Sequence, residues 1–216
     1  MALGSPQEFS RWSESYDADV CGIDGFPFGG YDSVLRRVVD LAAADPPTSV
    51  LDLGIGTGNL AMHFVALGCS VWGMDFSDGM LALARTKLPD VSLAEADILG
   101  PWPQEFCRRY DCIVSAYVFH HFEQQEKLDF LVRLSREHCV RGGAILIADV
   151  AFPTVSALDQ ARARWADSWD EEHYWVAERD VPACERLGLH VSYEQIGEFA
   201  GIFSVRRSPT RRGSGA

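Results

Sequence analysis

The stretch Val50-Leu51-Asp52-Leu53-Gly54-Ile55-Gly56-Thr57-Gly58-Asn59-Leu60 constrains this chain more than any other part of it. A short apolar run ends in three alternating glycines and passes straight into residues of helical character. Glycine permits the sharp reversal from strand to helix and leaves the backbone amides open to a ligand. Amides at a helix start favour a negative group. A dinucleotide fingerprint requires G-x-G-x-x-G, but the sixth position counted from Gly54 is Asn59. The dinucleotide pattern therefore fails, while the strand–loop–helix unit stands.

The rest of the chain repeats that unit. Residues 49–53, 70–75, 91–95, 111–116 and 144–150 read as apolar strands, with helices at 59–67, 77–87 and 124–138 between them. Gly68 closes the first of these helices and Ser77 caps the second. Such alternation implies a parallel sheet with right-handed crossovers. Upstream, Ser5-Pro6-Gln7-Glu8 forms a capping box ahead of Phe9, Trp12 and Tyr16 at helical spacing. Four glycines and Pro27 make residues 21–30 a loop. Residues 31–44 return to a helix with Val34, Leu35, Val38 and Leu41 inward, stopped by Asp45-Pro46-Pro47. Downstream, residues 154–175 are aromatic-rich and helical in part, and residues 180–187 form a short helix before Gly188. Residues 189–195 and 201–207 lie close enough to pair as an antiparallel hairpin, and residues 208–216 are expected to be a disordered tail without function.

Composition narrows the function classes. A chain of 216 residues suits one domain, and its 47% hydrophobic content rules out wholesale disorder. Nineteen Lys and Arg against 31 Asp and Glu give a net charge of −12, which opposes binding to a phosphate backbone or an anionic membrane. No stretch approaches the roughly 20 apolar residues needed to cross a bilayer. The first residues have neither a basic region nor an apolar core, so no signal peptide is expected. Six dispersed cysteines without a C-x-x-C pair read as reduced and mostly buried, which suits a cytoplasmic protein.

With its followers in register, D-x-G-x-G-x-G resembles motif I of the class I S-adenosylmethionine (SAM) dependent methyltransferases. Asp75 ends the second strand, where a carboxylate can accept ribose hydroxyls, and Asp97 in Glu95-Ala96-Asp97-Ile98 ends the third, where the family holds adenine. Asp111-Cys112-Ile113-Val114-Ser115-Ala116 and Arg141-Gly142-Gly143 before residues 144–149 are similar to the family's fourth and fifth strands. Trp12, Tyr16-Asp17, Gly30-Tyr31-Asp32, Phe119-His120-His121 and Ala148-Asp149-Val150-Ala151-Phe152 look like the YrrT-type bacterial methyltransferases, although that group commonly has Glu where Asp75 stands. The resemblance spans about residues 9–206. It implies a Rossmann-like α/β fold, a seven-strand mostly parallel sheet with a C-terminal antiparallel hairpin and helices on both faces. It also implies one SAM-binding domain over 1–207. Within it, residues 1–44 would be a helical lid, 45–150 the cofactor core, 151–180 a substrate-covering insertion, and 181–207 the last helix and hairpin.

The site expected from these residues has two halves. Asp52, Gly54, Gly56, Gly58, Tyr31, Asp75, Phe76, Asp97, Ile98 and Ser115 are the expected SAM contacts. Tyr117, His121, Tyr174 and Trp175 are the expected substrate contacts, and His120 and Tyr16 the catalytic candidates. Aromatic faces among them could cage a sulfonium. Asp170, Glu171 and Glu172 read as a solvated helix face, with attraction of a cationic amine as the other reading. No metal is expected, because two adjacent histidines without nearby cysteine or carboxylates lack a chelating spacing. The leading function is methyl transfer to a small molecule, in small-molecule metabolism or secondary metabolite biosynthesis, by a monomer or homodimer. The alternatives are a SAM-cyclising enzyme that makes azetidine-2-carboxylate and methylthioadenosine, and a non-catalytic SAM-binding module.

Overall fold

Val50 and Leu51 are both fully buried although they point to opposite sides of their strand, so this sheet is covered on both faces. The computed structural model describes residues 6–21 and 25–207; Ser5 of the expected capping box, residues 22–24 of the glycine-rich loop and the tail at 208–216 lie outside the described residues. Two helices come first, α1 (Pro6–Cys21) and α2 (Tyr31–Ala43), followed by β1 (Ser49–Leu53), α3 (Ala61–Ala66) and β2 (Ser70–Asp75). Next are α4 (Asp78–Lys87), β3 (Ser92–Glu95), β4 (Tyr110–Ala116), α5 (Gln124–Arg133) and β5 (Cys139–Phe152). The chain ends with α6 (Val155–Arg164), β6 (Trp175–Val176), α7 (Ala177–Arg186), β7 (Leu189–Gln195) and β8 (Ala200–Arg207).

The sheet runs β3-β2-β1-β4-β5-β8-β7, parallel from β3 to β5 and antiparallel where β8 meets β5 and β7. This is the expected class, a mostly parallel Rossmann-like sheet with antiparallel C-terminal strands. An eighth strand, the two-residue β6, pairs with the end of β5 and was not expected. Strand order reverses between β1 and β4, which makes their C-terminal ends the natural ligand crevice. Residues alternate along β5: Leu146 and Ala148 join the apolar layer shared with α2, while Ile145 and Ile147 join the layer shared with α5 and α7.

Local chemistry explains the helix limits. Ser77 accepts a hydrogen bond from the Met80 amide (3.3 Å) and starts α4, as its position implied. Glu123 and Glu126 form a reciprocal capping box that starts α5. That helix does not run regularly to 138: residues Leu134–His138 loosen into one π turn, and β5 begins at Cys139 with a register shift opposite β4. Val34, Leu35 and Val38 are each at most 2% exposed, so α2 is a core helix rather than a cover. Burying three such side chains stabilises the domain by roughly 1.5–3 kcal/mol each. Helix α1 packs on α4 beside the glycine loop. It crosses α4 at Gly79, where any Cβ would stand 2.8 Å from the Ser10 Cα. No described helix is long and apolar enough to cross a membrane.

Candidate active site

The glycine loop leaves β1 with the Gly54 and Ile55 amides both bonded to the Met74 carbonyl, at 2.8 and 3.0 Å. Gly54 has φ 71°, and a Cβ there would meet a Val118 methyl at 2.4 Å, so this position is closed to every larger residue. Gly56 has φ 55°, but a Cβ there would meet nothing within 4 Å, so the space above it is open. Asp75 accepts the Gly56 amide at 2.8 Å through one carboxylate oxygen and the Ser77 amide at 2.9 Å through the other. Burial raises its pKa, and these amide hydrogen bonds oppose the rise. Asp52 is 1% exposed, and its Oδ2 has no hydrogen-bond partner. Burial, with the charge of Asp75 adding to it, pushes the Asp52 carboxyl up to about 8.

A small cavity joins Asp52, Gly54 and Gly56 to Tyr16 of α1 and Tyr31 of α2. Tyr31 stacks on Tyr117 at 5.3 Å, and the Tyr16 phenol, driven well above its ordinary pKa by burial, hydrogen-bonds with Tyr31. Tyr117 is the only non-glycine among the described residues with positive φ (57°), and its buried hydroxyl has no partner. A bulky residue held in this region costs on the order of 1–3 kcal/mol and is typical of ligand sites. The α1 helix is fastened here by Asp17, which accepts from Thr57 Oγ1 (2.6 Å), Asn59 Nδ2 (3.0 Å) and Lys87 Nζ (2.5 Å). Neither Asp17 nor Lys87 was among the expected site residues.

The other half of the site is built around His120, on the turn after β4. Its Nδ1 lies 2.5 Å from Oδ1 of Asp149, a fully buried acid in the apolar run of β5. Burial would lower the His120 pKa, but the charge and hydrogen bond of Asp149 outweigh it and the net shift is upward. The second Asp149 oxygen accepts from Trp175 Nε1 at 3.1 Å. On its outer side, His120 Nε2 is 3.5 Å from Glu172, and His121 Nδ1 is 3.2 Å from the other Glu172 oxygen. Burial pushes the Glu172 carboxyl up, and the hydrogen bond from His121 with the two imidazole charges more than offsets that. Segment 170–174 is irregular rather than helical, so the solvated helix face is corrected: Glu172 turns inward between the two histidines. The basis for expecting no metal falls as well, since a carboxylate does stand beside His120 and His121.

Other expected contacts divide. Trp175 is fully buried between Phe119 and Phe203, so its assignment to substrate is corrected; it packs the core and holds Asp149. Ser115 is also completely buried and donates to the Leu53 carbonyl at 2.7 Å, tying β4 to β1 rather than offering its hydroxyl to a ligand. Tyr174 donates to the Asp170 carbonyl and lies 6.4 Å, ring to ring, from His120. Phe76 packs edge-on against Phe9 (5.1 Å), and Phe9 in turn against His121 (5.7 Å), which links the two halves. Asp97 is exposed and accepts the Leu99 amide, and Ile98 beside it is buried. Gly58 approaches Leu88 rather than the cavity.

Residues 50–143 match the methyltransferase domain family. An uncharacterized methyltransferase of Anoxybacillus flavithermus is 37% identical over 213 residues, covering 91% of this chain and 95% of the relative. One from Oceanobacillus iheyensis is 30% identical over 92% of this chain and 95% of its own length. The chain belongs to the class I SAM-dependent methyltransferases. Solved structures show the same fold. DhpI in complex with S-adenosylhomocysteine (SAH) superposes with a TM-score of 0.72 at 20% identity, over 94% of this chain and 95% of that one. Magnesium protoporphyrin IX methyltransferase from Synechocystis PCC 6803 with bound SAH gives 0.71 at 17% identity, over 94% and 100%. SAM, the family's methyl donor, fits the residues of this methyltransferase. Its ammonium is the kind of donor that the orphaned Asp52 Oδ2 lacks, and Gly56 leaves room for close approach. We expect Gly56→Leu to fold but to lose SAM binding in calorimetry, because the side chain would fill that space; retained affinity would move the cofactor elsewhere.

Proposed function

We propose that this methyltransferase moves the methyl group of SAM to a small-molecule acceptor seated between the Tyr16–Tyr31–Tyr117 wall and the His120 turn. When bound, SAM supplies a methyl carbon activated by a positive sulfur, and transfer depends on in-line alignment and exclusion of water. Asp52 holds the ammonium at one end. Asp75, whose two oxygens are oriented by the Gly56 and Ser77 amides, accepts from the ribose hydroxyls. The tyrosine faces exclude water and can attract a sulfonium by roughly 0.5–2 kcal/mol each. Asp97 and Ile98 remain the proposed adenine contacts, with Phe76 beside them.

The observation that carries this reading is the unpartnered, fully buried oxygen of Asp52 next to the open space above Gly56. A small acceptor, rather than a polyanion, is supported by the net charge of −12 and by the partly exposed Glu172 beside His120 and His121. His120 and Tyr16 are proposed to orient the acceptor and the donor respectively, His120 being held by Asp149 through Nδ1. Calorimetry with SAM, SAH and NAD tests the cofactor: both sulfur compounds should bind and NAD should not. For the acceptor side, His120→Ala should lower turnover about tenfold or more while the SAM dissociation constant changes by less than about threefold. Equal losses in both would place His120 on the cofactor instead.

A further inference from the structure

We propose that His120, His121 and Glu172 form a binding site for one divalent first-row transition metal ion. Each offers a ligand atom, and the three atoms lie within 4.8 Å of one another. The donor set is two imidazole nitrogens and one carboxylate, which suits Zn²⁺, Fe²⁺, Co²⁺ or Mn²⁺ and leaves coordination positions open. It does not suit Mg²⁺ or Ca²⁺, which take oxygen ligands.

Four features separate this cluster from a chance surface grouping. His120 is bonded through Nδ1 to the buried Asp149, and this fixes its tautomer and leaves Nε2 directed to the Glu172 side. A carboxylate behind a histidine ligand is the usual outer support of a metal site. Asp149 is itself held by Trp175 Nε1 and the Val150 amide, at 3.1 and 2.9 Å. The Glu172 segment is pinned as well: the His173 amide donates to the His120 carbonyl at 2.9 Å, and the buried Lys127 ammonium donates to the His173 carbonyl. Finally, the side chains of His120, His121 and Glu172 are 10%, 18% and 26% exposed, so the cluster is sheltered yet reachable. The ligands are thus brought together across a long sequence separation and locked before any ion arrives. This inference rests on those residues alone and does not depend on methyl transfer.

The test uses the untagged full chain, stripped with a chelator and titrated with ZnCl₂ by calorimetry, then with CoCl₂ by absorption spectroscopy. Cys107, the exposed cysteine among the described residues, is replaced by serine throughout so that its thiol cannot capture the metal. One ion per chain is expected, with Co²⁺ giving visible d–d bands free of thiolate charge transfer. Glu172→Gln and His121→Ala should each weaken binding at least tenfold. Asp149→Asn should weaken it by about ten- to a hundredfold, as loss of an outer carboxylate does. Glu172→Gln is partly exposed and conservative, so it tests the site even if Asp149→Asn fails to fold. SAM affinity is measured on the same samples and should persist without metal. Absence of Zn²⁺ and Co²⁺ binding, or binding unchanged in Glu172→Gln and His121→Ala, would overturn the metal site while leaving the SAM result to judge the methyltransferase reading.

Discussion

Asp52→Asn should weaken SAM binding about tenfold or more and, at pH 8, raise the melting temperature of the ligand-free domain by a few degrees. The two effects have one cause. Asp52 is fully buried beside Asp75 with an orphaned oxygen, and its pKa stands at about 8 against an ordinary 3.8. The folded state therefore holds a proton that the unfolded state has lost between those values, and stability falls as pH rises through that window, by up to about 1.4 kcal/mol per pH unit. Asparagine removes this penalty and still accepts the Ala61 amide, at the cost of an unpaired amide donor worth about 1–3 kcal/mol. The variant's advantage should accordingly grow from pH 5 to pH 8. In the native chain, an incoming ammonium favours the ionised carboxylate, so SAM binding near neutrality should release a proton and tighten as pH rises toward 8. Calorimetry in buffers of different ionisation enthalpy reads that proton directly. An advantage over the native chain no larger at pH 8 than at pH 5, together with normal SAM binding, would show that Asp52 is not raised by burial and is not a cofactor ligand.

Asp75→Ala is expected to lower SAM affinity by about ten- to a hundredfold, the range for hydrogen bonds to a charged group. The loss has a local part too, because the Gly56 and Ser77 amides, now held at 2.8 and 2.9 Å, would be left without their acceptor. The glycine loop should then exchange its amide hydrogens faster, while strands β4 and β5 keep their protection. Unchanged affinity measured by calorimetry would place the ribose contact on another residue.

How much of this was legible in the sequence follows from distance along the chain. The strand, the glycines and Asp75 form one contiguous βαβ unit, so their spacing alone pointed to the glycine loop, of which Asp52, Gly54 and Gly56 line the small cavity. Strand residues were harder to assign, because this sheet is buried on both faces and side chains such as Ser115 read the same whether they face a ligand or a neighbouring strand. Trp175 looked like a pocket aromatic because nothing local shows that β6 docks against the end of β5. Glu172 joins His120 and His121 only through tertiary contacts of an irregular segment, which no periodicity reveals. Asp149 did leave a signal, an acid inside the run Ala148-Asp149-Val150-Ala151 where every other residue is apolar and buried. Such an acid needs a partner, and the partner is His120.

The most direct test of methyl transfer is mass spectrometry of the products formed from methyl-labelled SAM, with and without a filtered small-molecule extract. Enzyme-dependent SAH together with an extract component carrying the labelled methyl is the predicted result, with little SAM consumed when the extract is omitted. Methylthioadenosine and azetidine-2-carboxylate from SAM alone, well above its spontaneous breakdown, would contradict it.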